Sequence, residues 1–293
     1  MNPVSEHNAA RSRAAAKKRR LVIDGKSQSA ASKKPHFLRN KQSGGKIARL
    51  PLKAPVYEVF FSYQGEGLYT GMAQVFVRFA GCNLQCGYCD TAYSVKVSKE
   101  AKYYTSDKLI KLIAACQNNA VKSSRQNSEI FIARSVSLTG GEPLLYVDFL
   151  KDLLPKLKKA GFEIYLETNG TLSENLKTII KYCDIVSMDF KFPSECGKSF
   201  WKDHLEFLKI AENKVLGKVF VKCVITNKTS AREIAKSVQI ISSVSKNVCL
   251  ILQPSIDKNR PLPPVLHSFY KSASERLPNV HLMIQLHKLY KIR

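Results

Sequence analysis

The sequence predicts an α/β fold built on a largely parallel sheet, either an open barrel or a doubly wound sheet. Two observations lead there. Short runs rich in Val, Ile, Leu and Phe recur along the chain, several almost continuously apolar, as expected of strands covered on both faces. Segments with apolar residues at helical spacing lie between them. Composition permits such a fold, because 44% hydrophobic and 24% charged residues in a 293-residue chain are enough to bury a core.

Taken in order, strands are expected at residues 74–79, 135–138, 163–167, 185–189, 219–225, 248–252 and 281–285. Ser106 is placed to cap a helix whose Leu109, Ile110, Ile113 and Cys116 share one face. Phe149, Leu150, Leu153, Leu154 and Leu157 repeat the pattern, and Gly161 stops that helix. Later helices are expected at 174–182, 199–213, 230–244 and 264–277, and the polar run 122–128 reads as a surface loop. In both candidate folds the site forms at the carboxyl ends of the strands.

Charge divides the chain. Lys and Arg number 47 against 23 Asp and Glu, a net +24. Residues 1–53 hold 14 of the basic side chains against only Glu6 and Asp24, a net +12, and read as a disordered basic extension preceding a folded domain at 54–293. The extension is an electrostatic handle for nucleic acid, but Phe37 is its lone Phe, Tyr or Trp, so it lacks the interleaved rings that stack on bases. No apolar run approaches the roughly 18–20 residues that span a bilayer. No apolar h-region follows the N-terminal basic residues, so a secretory signal is excluded. Eight cysteines are too dilute for a disulfide scaffold, and a cytoplasmic protein with no membrane partner is expected.

The densest chemistry follows the strand at 74–79. Cys82, Cys86 and Cys89 fall within eight residues and can converge on one centre. Four thiolates would close a zinc site, and an iron–sulfur cluster ordinarily takes four cysteines. On spacing alone three readings stay open: a cluster with one iron left for an exogenous ligand, a zinc knuckle completed by a distant residue, or three core thiols. After the next strand come Thr139, Gly140, Gly141, Glu142 and Pro143, where glycines let backbone approach a ligand and a carboxylate can oppose an ammonium. Cys116, Cys183, Cys196, Cys223 and Cys249 are scattered and read as small apolar or incidental residues.

These two motifs resemble those of the radical S-adenosylmethionine (SAM) enzymes. With Phe61-Ser62-Tyr63-Gln64-Gly65-Glu66-Gly67, Arg78, Asp90-Thr91 and Gln285-x-His287-Lys288, the stretch from residue 56 onward resembles the 7-carboxy-7-deazaguanine synthases. The resemblance implies a partial, shortened and open TIM-type barrel. It implies a [4Fe-4S] cluster on Cys82, Cys86 and Cys89, with SAM on the fourth iron. The expected reaction contracts 6-carboxy-5,6,7,8-tetrahydropterin to 7-carboxy-7-deazaguanine with loss of ammonia, in queuosine or other 7-deazapurine biosynthesis. Cofactor contacts carried over are Tyr88, Cys89, Asp90, Gly141, Glu142, Ser187 and Lys191, with Gln253 near the adenosine. Substrate contacts are Tyr63, Gln64, Gly65, Arg78, Thr139 and His287, while Thr91 matches a Mg2+-contacting threonine. Glu167 is expected to assist proton movement or orient a radical intermediate. A flavodoxin or ferredoxin would supply electrons, and a homodimer is the expected assembly.

Two other functions fit parts of this pattern. An activase that installs a glycyl radical on a partner protein would share the cluster motif but not need Gln64, Arg78 and Thr91 together. A metal-binding module that grips RNA through residues 1–53 would need the extension for its function.

Overall fold

The computed structural model describes residues 52–125, 133–215, 218–256 and 260–290. The basic extension expected at 1–53 lies outside the described residues apart from Leu52 and Lys53. Strands β1 (Lys53–Tyr63) and β2 (Ala73–Phe79) form an antiparallel pair, and β3 (Lys102–Thr105) pairs antiparallel with the other side of β1. From β2 the sheet continues in parallel through β4 (Ser135–Gly140), β5 (Glu163–Thr168), β6 (Ile185–Asp189), β7 (Val219–Ile225), β8 (Cys249–Pro254) and β9 (Val280–Leu282). The order β3-β1-β2-β4-β5-β6-β7-β8-β9 leaves β3 and β9 as opposite edges, so the barrel is open and partial.

Helices α1 (Ser106–Arg125), α2 (Val147–Lys159), α3 (Ser173–Ile179), α5 (Trp201–Lys214), α6 (Ala231–Val244) and α7 (Pro263–Ser274) fill the crossovers, with a short α4 (Pro193–Cys196) after β6 and α8 (Leu286–Tyr290) after β9. Helices and the outer strand face form one core, to which α2 contributes Phe149, Leu150, Leu153, Leu154 and Leu157 and the strands Leu166, Val186, Val221 and Leu250. Gly161, at φ +85°, ends α2's exit turn as anticipated.

Strand alternation explains where the site must be. Tyr165, Ile185, Phe220, Cys249 and Ile251 form a second cluster on the opposite strand face, with Tyr69 edge-on to Tyr165 at 5.8 Å. Two residues further along each strand, on that same face, stand Glu167, Ser187, Lys222 and Gln253. Aromatic and aliphatic side chains thus make a floor, and polar ones sit above it at the carboxyl ends. This division also makes the strands read as nearly continuous apolar runs.

The structure departs from expectation in several places. β1, β3, α4 and α8 were not anticipated, and the last strand is Val280–Leu282 rather than 281–285. Residues 122–125 belong to α1, not to a loop; 126–128 lie outside the described residues. Ser106 is no cap: Thr105 Oγ1 accepts from Lys108 N–H at 3.4 Å, while the Ser106 hydroxyl bonds Asp152 and accepts from Lys156 at 2.6 Å, joining α1 to α2.

Candidate active site

One cavity of about 470 Å³ opens above the floor, within the roughly 300–1,000 Å³ typical of small-molecule pockets. Cys82, Cys86 and Cys89 line it, on a loop fixed at its start by Gly81 N–H to Ser94 O (2.7 Å) and Cys82 N–H to Val95 O (2.9 Å). The turn after β4 packs directly on this loop. Gly141 N–H donates to Phe79 O at 2.9 Å and Glu142 N–H to Gly81 O at 2.8 Å, and a Cβ on Gly141 would lie 1.9 Å from Gly81 O. No other residue fits there, so this glycine serves the approach of two protein backbones.

Glu142 does not line the cavity. Its fully buried carboxylate accepts from Leu144 N–H (3.0 Å), Thr168 Oγ1 (2.9 Å) and Asn169 N–H (2.8 Å). Burial pushes its pKa up to about 7 against the pull of these donors. In this arrangement the carboxylate braces the site: Glu142 fixes Asn169, whose Nδ2 donates to Asn83 Oδ1 at 2.8 Å beside Cys82.

The other expected residues converge. Tyr63, Gln64, Gly65, Arg78, Tyr88, Asp90, Thr91, Thr139, Gly141, Glu167, Ser187, Lys191, Gln253 and His287 all line the cavity with the three thiols. Glu167 is a hub: Oε1 accepts from Gln64 Nε2 and Ser137 Oγ, and Oε2 from Thr139 Oγ1, each at 2.9 Å. Arg78 is aimed by Glu58, at 2.7 Å, and lies over the Phe60 ring. The Thr91 hydroxyl stands 3.8 Å from Cys89 Sγ.

Several residues at the site went unrecognised in the sequence. Lys222 pairs with Glu66 and lies 3.7 Å from Asp189, which also binds Lys191 at 2.7 Å. Burial alone would raise Glu66 and lower Lys222, but their mutual attraction wins, holding Glu66 at about 2 and Lys222 above its ordinary value. Lys191 in turn approaches the Tyr88 hydroxyl at 3.3 Å, so charge runs unbroken from the Glu66 segment to the cysteine loop. Glu66, Asp90 and His287 bring donor atoms within 4.8 Å of one another, but Lys222 and Lys288 already sit against the two carboxylates. Gln285 Nε2 donates to Glu66 Oε1 at 2.7 Å and Leu286 N–H to Gly65 O at 2.9 Å, which seats the start of α8 over the cavity. Cys196, read as incidental, meets Cys86 with 3.3 Å between sulfurs; this contact pushes Cys86 down to about 7 despite burial.

Three thiols in one cavity with no fourth protein thiolate aligned in the loop suit a cluster whose fourth iron takes an outside ligand. Gln253 adds a second sign of a ligand: it lines the cavity fully buried, and neither amide atom has a protein partner among the described residues. A donor and an acceptor so placed fit the edge of a heteroaromatic base.

Fold and site together define a radical SAM enzyme: residues 76–240 match the family model described as the radical SAM superfamily. A 7-carboxy-7-deazaguanine synthase of Geobacter sulfurreducens is 38% identical over 69% of this chain and 81% of its own length. One of Thermococcus kodakarensis is 31% identical over 80% of this chain and 97% of its own. Within the superfamily the chain belongs to the 7-carboxy-7-deazaguanine synthase family. The fold agrees with the crystal structure of QueE from Escherichia coli at a TM-score of 0.53 and 23% identity, covering 80% of this chain and 95% of that one.

Proposed function

We propose that the chain contracts 6-carboxy-5,6,7,8-tetrahydropterin to 7-carboxy-7-deazaguanine with release of ammonia, in queuosine or another 7-deazapurine biosynthesis. The observation that carries this is the convergence of the three thiols with Gln64, Arg78, Thr139, Glu167 and His287 on one cavity. When bound, the cluster and SAM would supply a 5′-deoxyadenosyl radical that abstracts hydrogen from the substrate.

The protein's own groups divide the remaining work. Cys82, Cys86 and Cys89 would hold the cluster, and Gln253 would read the adenosine with Ser187 also lining the cavity. Arg78, directed by Glu58, offers a guanidinium to the substrate carboxylate. Thr91 would help to hold Mg2+ together with that carboxylate, since the ion keeps few protein ligands. An ionised carboxylate has about four acceptor positions; three on Glu167 are engaged, which leaves one on Oε2 for a substrate N–H. Gln64 acts by orienting Glu167, since its amide also spans Gln74 Oε1 at 3.2 Å and Glu66 N–H at 3.1 Å.

The electron donor is a flavodoxin- or ferredoxin-type protein and the assembly a homodimer, both carried over from the family resemblance. No helix among the described residues is long and apolar enough to cross a membrane. Free thiols around an iron–sulfur site suit the reducing cytoplasm. The test is anaerobic turnover of reconstituted protein with SAM, reductant, Mg2+ and carboxytetrahydropterin. Carboxydeazaguanine without net loss of SAM is expected; protein that holds its cluster yet forms none refutes the assignment.

A further inference from the structure

Cys196 stands outside every motif, yet its sulfur lies 3.3 Å from that of Cys86. Both residues are held in place. Cys196 ends α4, which is braced from behind by Glu195 Oε1 on the Thr226 hydroxyl (2.6 Å) and by Ser194 N–H on Glu233 Oε1 (2.9 Å). The cysteine loop is tied to the same segment by Gly87 N–H to Glu195 O at 3.1 Å, so the neighbours of the two thiols are hydrogen-bonded to each other. Both sulfurs belong to partly exposed residues, and Cys86 opens to the cavity. A disulfide joins sulfurs at about 2.05 Å, so an approach of about 1.25 Å from their present separation of 3.3 Å brings them to bonding distance.

We propose that, in the cluster-free protein, Cys86 and Cys196 form a reversible disulfide by exchange with a small-molecule disulfide such as oxidised glutathione. Cys86 thiolate attacks one glutathione sulfur, a Cys86–glutathione bond forms and the first glutathione thiolate leaves. Cys196 thiolate then attacks Cys86 sulfur, the protein disulfide forms and the second glutathione thiolate leaves. Two protein thiols are oxidised, one small disulfide is reduced to two thiols, and the two protons released are taken up by the departing thiolates. The consequence, which rests on the cluster reading above, is that the bond withdraws one of three iron ligands and closes the site to cluster assembly until a dithiol reduces it.

The experiment uses full-length protein, stripped of iron and fully reduced, then incubated anaerobically with oxidised glutathione, alkylated, digested and weighed by mass spectrometry. A peptide pair joined through Cys86 and Cys196 is expected, together with loss of iron uptake that dithiothreitol restores. Cys196→Ser, unable to resolve the intermediate, accumulates glutathione on Cys86, whereas Cys116→Ser behaves as wild type. Cluster-loaded protein yields no joined pair. Absence of the pair, linkage of Cys86 to Cys82 or Cys89 instead, or equal linkage in loaded protein overturns the proposal. Reduced protein that takes up no iron would refute the cluster reading separately, because the peptide measurement does not depend on it.

Discussion

At the scale of single residues, the site rests on charges that compensate one another out of water. Lys222 is the test. Buried between Glu66 and Asp189, it stabilises two carboxylates, and removing one partner of such a group leaves a buried charge uncompensated at about 3–5 kcal/mol. Lys222→Met should lose roughly that much in urea unfolding, and the Lys222→Met/Glu66→Gln double variant should recover part; additive losses would count against the pairing. Glu167→Gln replaces a carboxylate that faces three donors with an amide that faces them with one oxygen and an NH2. If Glu167 moves a proton, kcat should fall about 10²-fold or more; a raised KM with kcat intact would confine it to holding substrate. The residues legible in the sequence were those adjacent to motifs, because spacing announces convergence. Lys222 was missed although its signal was present: a lone charge in an otherwise apolar strand, all of it buried, demands a partner. Glu142 turns away from the cavity onto Leu144, Thr168 and Asn169; sequence shows that a carboxylate is near a site, not which way it turns.

At the scale of elements, the crossover strands and helices were legible because burial on two faces forces long apolar runs and on one face forces helical spacing. β1 escaped because its alternation is diluted by half-exposed positions, and β3 and α8, at four and five residues, are too short for periodicity to register. α8 nevertheless starts over the cavity, and its seating should depend on pH. Asp90, 3.8 Å from His287 Nε2, raises the imidazole's pKa; Glu66, 3.9 Å from Nδ1, adds to this, while partial burial and Lys288 oppose it. A group whose pKa is raised on folding contributes fully below its unfolded value, about 6.5, and loses that contribution as pH climbs through the raised value. Glu66 runs the other way, its contribution present above 4.5 and lost only as pH falls through about 2. Of these two groups only His287 titrates above its ordinary value, so amide exchange within Leu286–Tyr290 should quicken beyond the intrinsic chemical rate as pH climbs through the raised value. His287→Gln should abolish that excess; its persistence in the variant would place the pH response elsewhere.

At the scale of the whole molecule, the net charge of +24 separates into a catalytic part and residues 1–53, which carry half of it. The described fold starts at the boundary: Lys53 opens β1 and pairs with Thr105 of β3. A relative matched over 97% of its own length covers 80% of this chain. The described site takes every one of its groups from Glu58 onward. Deleting residues 1–51, which leaves Lys53 to pair, should therefore leave the melting temperature and carboxydeazaguanine formation unchanged. RNA retention should respond differently. Each phosphate neutralised by Lys or Arg contributes a salt-dependent increment to affinity, with log K falling by about 0.7–0.9 per contact for each tenfold rise in salt. Any retention of RNA by the full chain at low salt should fall on deletion, and its salt slope should flatten. Loss of turnover on deletion would make the extension part of the catalytic fold, and undiminished RNA retention would move the nucleic-acid contact onto the barrel.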